Sequence, residues 1–334
     1  MKVQKNFSLK NFNTFGIDVK ASEFISVTSL TELVSVLKEN KNVFIISGGS
    51  NMLLTKDVNA LAIHLDYKGI QILKETKSSV YVKANAGENW HDFVQWCLTN
   101  DFGGLENLSL IPGNVGTCPI QNIGAYGVEV KDIIKEVNCI NIKELSAEIL
   151  KKSDCKFGYR NSVFKNEAKG KYIIVSVVFK LTKGKHKLHA SYGAIQEELK
   201  NLQIKKPTIQ SVSKAIINIR QRKLPDPNVI GNCGSFFKNP VVEKSMFDKI
   251  YTLNPKMPFY KTESAYKIPA GWLIEQCGFK GKRFGDAGVH KNQALVLVNH
   301  GNATGNEILS LAKTIRESVK KKFGINLEME VNIF

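Results

Sequence analysis

Two glycine-rich stretches hold the residues whose types and spacing could do chemistry. The first, Gly48-Gly49-Ser50-Asn51, follows the apolar run Val43-Phe44-Ile45-Ile46. Glycines let a backbone approach a ligand closely, and successive N–H groups form a nest for an anion. Taken alone, these four residues are a tight turn between strands. The second stretch holds Ile111-Pro112-Gly113-Asn114-Val115-Gly116-Thr117 and Gln121-Asn122-Ile123-Gly124-Ala125-Tyr126-Gly127. Its N–H groups and amide side chains suit a pyrophosphate and a flat heterocycle with donor and acceptor edges; a long Ω-loop is the structural alternative. The two together suggest a bound dinucleotide. Neither G-x-G-x-x-G nor the P-loop pattern occurs, so neither a Rossmann nor a Walker site is supported. Cys97, Cys118, Cys139, Cys155, Cys233 and Cys277 form no C-x-x-C pair and fit no zinc template. His186 and His189 match no metal pattern either, and no metal is expected.

Such loops need a framework. After Phe24-Ile25-Ser26-Val27, Ser29 and Glu32 give a capping-box pattern, and Leu30, Leu33, Val34 and Leu37 follow at helical spacing. The apolar run at 43–46 and its resumption at Met52-Leu53-Leu54 complete a small α/β unit. Strand signals dominate from about residue 70 to 180, clearest at Val80-Tyr81-Val82 and at 173–179, with one helix around residues 90–98. Residues 209–220 read as a helix with Ile209, Val212, Ile216 and Ile219 on one face. Lys223-Leu224-Pro225-Asp226-Pro227 ends it, which predicts a domain boundary. Thr304 and Glu307 cap a further helix lined by Ile308, Leu311, Ala312, Ile315 and Val319, and Gly324 stops it. The chain ends in a period-two pattern, with Leu327, Met329, Val331 and Ile333 on one face and Glu328, Glu330 and Asn332 on the other.

With 334 residues, 43% hydrophobic and 23% charged, the chain suits two or three globular domains. Its 47 Lys+Arg against 30 Asp+Glu give a net charge of +17, which admits nucleic acid, a membrane surface or a phosphorylated substrate as partner. The basic residues fall in short clusters such as Lys183-Gly184-Lys185 and Lys320-Lys321-Lys322, with no basic stripe interleaved with aromatics. That favours a solvated surface over a nucleic-acid footprint. The start of the chain lacks an apolar h-region, and no apolar run approaches the ~18 residues that span a bilayer. The expectation is a cytoplasmic protein with reduced thiols and neither a membrane nor a nucleic-acid partner.

Taken in order, Asn13-Thr14-Phe15-Gly16, residues 47–51, residues 111–127, Tyr159-Arg160-Asn161-Ser162-Val163-Phe164-Lys165, residues 231–242, 270–276, 285–293 and 327–331 resemble the UDP-N-acetylenolpyruvoylglucosamine reductase family. Each match is short, but the ordered set spans nearly the whole chain. The resemblance implies an α+β fold: an FAD-binding portion of the vanillyl-alcohol-oxidase type in two lobes, plus a smaller α/β substrate-binding domain. The boundaries expected are 1–67 for the first lobe, with the terminal strand 326–334 returning to it, 68–219 for the second, and 220–325 for the substrate domain. The implied function is reduction of a UDP-sugar enolpyruvyl ether for peptidoglycan synthesis, with FAD bound non-covalently, NADPH as co-substrate and the protein a monomer. Ser47, Cys118, Met329 and Asn332 depart from the family pattern, where Gly, Ala, Pro and, in some relatives, Arg are common.

The implied reaction places hydride on the terminal vinyl carbon, and negative charge develops on the adjacent carbon and its carboxylate. By resemblance, Arg160 meets that carboxylate with its planar fork, Glu330 is the hydrogen-bonding electrostatic partner, and Ser235 protonates the carbon. From residue type alone, Arg160 is equally a surface ion-pair residue. Glu330 shares a strand face with Glu328, and Ser235 in Gly231-Asn232-Cys233-Gly234-Ser235-Phe236-Phe237 is equally part of a turn entering a core. The resemblance places FAD against Gly48, Gly49, Ser50, Asn51, Pro112, Gly113, Gly116, Gln121, Asn122, Gly124, Ala125 and Arg220. It assigns the substrate to Tyr159, Lys223, Asn239, Lys267 and Gln293, with Tyr192 as the lid tyrosine of one subclass. Two rivals stand beside this reading. An FAD oxidase of the same fold needs no proton donor to carbon, and a basic nucleic-acid-binding protein would not purify yellow.

Overall fold

The computed structural model describes residues 2–262 and 264–334. The chain divides into two compact units. One comprises the chain up to Phe7, Ala21–Gly48 and Val58–Arg222; the other comprises Ser8–Lys20, Gly49–Asp57 and Lys223–Phe334.

In the first unit, strands Lys20–Val27 and Val43–Ile46 both pair in parallel with Val58–Leu65. Parallel neighbours need a crossover, and the helix Leu30–Glu39 supplies it. Ser29 accepts a hydrogen bond from the Glu32 N–H and starts that helix; Leu33, Val36 and Leu37 are its buried side chains, while Leu30 is exposed. A second sheet is antiparallel throughout, in the order Ala147–Lys151, Ile134–Asn141, Tyr172–Lys183, Ser79–Asn85, Ile70–Glu75. Helix Trp90–Thr99, capped by the Asn89 side chain, contributes Trp90 and Phe93 to its core. Those rings lie 6.0 and 5.0 Å, centroid to centroid, from Phe179 of the central strand. The irregular residues 103–127 are pinned to this framework: Trp90 Nε1 donates to the Leu108 carbonyl at 2.9 Å, and the Ser109 and Ser213 hydroxyls lie 2.7 Å apart. Helices Gly193–Asn201 and Ile209–Lys223 form a satellite core through Ile195, Leu199, Val212, Ile216 and Ile219.

The second unit has an antiparallel sheet ordered Gly231–Ser235, Val296–Asn299, Ala287–Val289, Arg283–Phe284. Helices Lys244–Leu253, Ala270–Gln276 and Gly305–Phe323 accompany it. Thr304 and Glu307 form the predicted capping box on the last, and Gly324 ends it in the left-handed conformation at φ +70°. The terminal segment departs from the expected alternation. Glu330 and Val331 are consecutive and both buried, while Ile333 is 40% exposed. The cause is a change of partner. The segment bridges Phe237 at Met329, then pairs in parallel with Met52–Leu53 at Asn332–Ile333, so no single face persists. Among the described residues no helix is long and apolar enough to cross a membrane, and no group of three or more His, Cys, Asp or Glu could hold a metal ion.

Candidate active site

In the first unit the two glycine-rich stretches meet. A Cβ on Gly48 would lie 2.8 Å from the Gly113 Cα and 3.0 Å from Asn114 Oδ1, and one on Gly116 would lie 2.6 Å from the Ala86 Cβ. Only bare backbone permits this approach. Gly124 and Ala125 pair with Glu129 and Val128 in a two-residue hairpin. A Cβ on Gly124 would press on Arg160 at 3.2 Å. Asn122 is fully buried: Nδ2 donates to Glu129 Oε2 at 3.1 Å and to the Gly158 carbonyl at 2.9 Å, and Oδ1 accepts from Lys131 N at 3.0 Å. Its side chain therefore shapes the loop, and any cofactor contact would come from its backbone. Ser47 Oγ is buried and has no hydrogen-bond partner among the described residues.

Beside these loops stand two guanidinium groups. Arg160, at φ +51°, donates from Nη2 to the Gly124 carbonyl at 2.8 Å and lies 5.6 Å from the Tyr159 ring centroid. Arg220 donates from Nε to the carbonyl of Leu110, itself at φ +57°. Burial lowers the Arg220 pKa below its ordinary value, the nearby Tyr126 hydroxyl opposes this, and the charge of Arg160 reinforces it. Burial likewise raises the Tyr126 pKa. Tyr192 caps helix Gly193–Asn201, and its ring meets Tyr126 edge-on at 5.6 Å. Two cations close enough to repel, in a partly desolvated place, have a chemistry suited to anionic oxygens. Tyr126 was not among the predicted site residues; its place at the end of the second glycine stretch was the only local signal.

The second unit holds the remaining candidates. Gly49, at φ +57°, packs so closely on Phe12 and Asn13 that a Cβ would overlap the Phe12 carbonyl, and its own carbonyl accepts from Thr14 N at 3.1 Å. Residues 236–238 run antiparallel beside 328–330: Glu330 N donates to the Phe236 carbonyl at 2.8 Å and Lys238 N to the Glu328 carbonyl at 2.9 Å. This register sets Glu330 opposite Phe236, the residue that follows Ser235 at the end of strand Gly231–Ser235. The strand bulges between Asn232 and Ser235, through Gly234 at φ +74°, and pairs again with Val296 at Ser235. The two glutamates differ: the Glu328 side chain is 68% exposed and pairs with Lys238, while Glu330 is 8% exposed. Cys233 lies close enough to Glu330 to feel its charge; burial first, and that charge second, push the thiol well above its ordinary pKa. Asn51 Nδ2 donates to the Glu330 carbonyl, and Asn332 Nδ2 to the Asn51 carbonyl at 3.0 Å. Asn239 Oδ1 accepts from Ala270 N at 2.9 Å, Lys267 sits in the strand Tyr266–Lys267, and bare Gly271 leaves room for Gln293 Oε1. Lys223 is exposed at the end of its helix.

Unit by unit, the sequence-predicted residues sort as follows. Gly48, Pro112, Gly113, Gly116, Gln121, Asn122, Gly124, Ala125, Tyr159, Arg160, Tyr192 and Arg220 belong to the first. Gly49, Ser50, Asn51, Lys223, Ser235, Asn239, Lys267, Gln293 and Glu330 belong to the second.

The chain is an FAD-dependent oxidoreductase, and its fold is similar to that of the vanillyl-alcohol-oxidase type. A family model described as an FAD binding domain matches residues 22–144. The crystal structure of p-cresol methylhydroxylase superposes with a TM-score of 0.50 at 11% identity, over 97% of this chain and 84% of that one. The chain belongs to the UDP-N-acetylenolpyruvoylglucosamine reductase family. The model of that family's C-terminal domain matches residues 226–334. The reductase of Flavobacterium johnsoniae is 59% identical over the full length of both chains, and that of Chromobacterium violaceum is 46% identical over 99% of this chain and 98% of its own. The crystal structure of the Thermus caldophilus reductase matches in fold with a TM-score of 0.70, at 24% identity over 100% of this chain and 99% of that one.

Proposed function

We propose that this chain reduces UDP-N-acetylenolpyruvoylglucosamine to UDP-N-acetylmuramate, a step of peptidoglycan precursor synthesis. The observation that carries the reading is the 59% identity to a reductase of that name over both whole chains. The cofactor is FAD and the electron source NADPH. Close-packed Gly48, Gly113 and Gly116 fit a backbone cradle for a dinucleotide, and Arg220 suits its pyrophosphate. Bound FAD supplies the hydride for the vinyl carbon.

The protein's own groups supply the rest. The Arg160 guanidinium binds the carboxylate on which charge develops, where a planar fork offers two parallel N–H donors. Ser235 Oγ gives its proton to the carbon bearing the ether oxygen, so that hydride and proton together saturate the double bond. The buried Glu330 carboxylate, one residue across the register from Ser235, is the electrostatic partner of that step. Lys223, Lys267, Asn239 and Gln293 bind the UDP portion, and Tyr192 closes over it. The protein acts as a cytoplasmic monomer without a nucleic-acid partner. Anaerobic reduction of the bound flavin by NADPH, followed by addition of the UDP-enolpyruvyl sugar, tests the reading. Rapid return of the oxidised flavin spectrum with formation of UDP-N-acetylmuramate is expected; a flavin that stays reduced would overturn it.

A further inference from the structure

We propose that Asn107 is a positioning residue, which fastens the loop carrying Tyr192 to the turn carrying Tyr126 and so fixes where Tyr192 stands for UDP-sugar binding. Asn107 is 1% exposed. Its Nδ2 donates to the Tyr126 carbonyl at 3.1 Å and to the His189 carbonyl at 2.8 Å. Both neighbours are acceptors, so the amide can face them only with its nitrogen, and each of its two hydrogens is used once. One buried side chain thus joins two segments far apart in sequence.

What it joins bears on the site. Tyr126 sits at φ +50°, a conformation that disfavours an aromatic residue and persists only where surroundings hold it. Its hydroxyl lies close enough to Arg220 to feel that charge, and its ring meets Tyr192 edge-on at 5.6 Å. On the other side His189 stands three residues before Tyr192. A second tie holds the start of the same loop: His186 bonds the Thr182 hydroxyl at 2.7 Å through Nδ1 and reaches Asp101 at 3.2 Å through Nε2. With His186 anchoring one end, Asn107 sets where the other end lies.

The kinetic half of this inference rests on the proposed function; the structural half does not. Asn107→Asp keeps the shape of the side chain but turns an oxygen toward two carbonyls. Hydrogen–deuterium exchange should quicken about tenfold in the peptide spanning residues 188–193 and stay unchanged in the helix Trp90–Thr99. In steady state, KM for UDP-N-acetylenolpyruvoylglucosamine should rise about tenfold with kcat within about twofold, since loss of uniform binding leaves the chemical step alone. Asn107→Ser, too short to reach both carbonyls, takes the place of the Asp variant if that chain does not fold. Unchanged exchange at 188–193 overturns the proposal, as does faster exchange with KM unmoved. A wild-type protein without the reductase activity would defeat the functional reading while the exchange result still decided the latch.

Discussion

Glu328 and Glu330 are two residues apart on one segment, yet one is solvated beside Lys238 and the other buried near Cys233. A buried carboxylate can steer a proton, so the roles proposed for Ser235 and Glu330 can be tested by separating the half-reactions. Flavin reduction by NADPH needs no proton on a substrate carbon; flavin reoxidation by the enolpyruvyl ether does. Ser235→Ala should leave the first nearly untouched and slow the second by roughly a hundredfold to ten-thousandfold, the usual worth of a positioned acid. Stopped-flow flavin absorbance reads each step, and equal slowing of both would sink the proton-donor role. Arg160 poses a different question, because charge and shape can be separated. Arg160→Lys keeps the charge and loses the fork, and turnover should fall about tenfold or more, an interaction worth on the order of 2–4 kcal/mol. Unchanged turnover would remove Arg160 from the site.

At the scale of elements, glycines mark where one backbone lies against another. Gly305 opens the helix Gly305–Phe323, and a Cβ there would overlap the Leu54 carbonyl oxygen. Gly305→Ala must push the helix from the strand Met52–Leu53 and should cost about 1–3 kcal/mol, the range for overpacking. Gly324, at the other end, meets nothing closer than Met246 at 3.7 Å; its Ala variant pays only for the left-handed backbone, about 1 kcal/mol. Urea midpoints would rank the two, and a Gly324 variant weaker than the Gly305 one would overturn the close-contact account. The helix itself was legible in the sequence, because its capping box, apolar stripe and stop are all local. Helices Gly193–Asn201, Lys244–Leu253 and Ala270–Gln276 were not foreseen: each buries only two or three side chains, too few for a clear stripe. The terminal segment misled for another reason. Alternation presumes one sheet partner, and this segment has two. The same distance from local sequence hid the Tyr126–Tyr192 ring contact and the Asn107–His189 hydrogen bond, while the glycine loops were visible because composition alone announces them.

For the whole molecule, three histidines tie folding to pH. Burial depresses the pKa of His64, His91 and His290 below the ordinary 6.5; Asp66 and Asp92 oppose this at the first two, and Lys291 reinforces it at the third. Each is neutral in the folded chain at a pH where the unfolded chain already takes up protons. The stability they permit is complete above about pH 6.5 and is lost as pH falls from there through each folded-state pKa. Asp286 and Glu307, held low chiefly by backbone hydrogen bonds, add their loss only below the carboxylate range. His91 links this titration to the site: its Nδ1 accepts from Leu110 N at 3.0 Å, and the Leu110 carbonyl accepts from Arg220. A protonated ring cannot accept there. The thermal midpoint should therefore fall between about pH 7.5 and pH 5.5, and His91→Gln, which cannot titrate, should flatten part of that slope. Calorimetry across that range in both proteins checks it. A variant with the full wild-type slope would show that His91 carries none of the linkage, leaving it to His64 and His290.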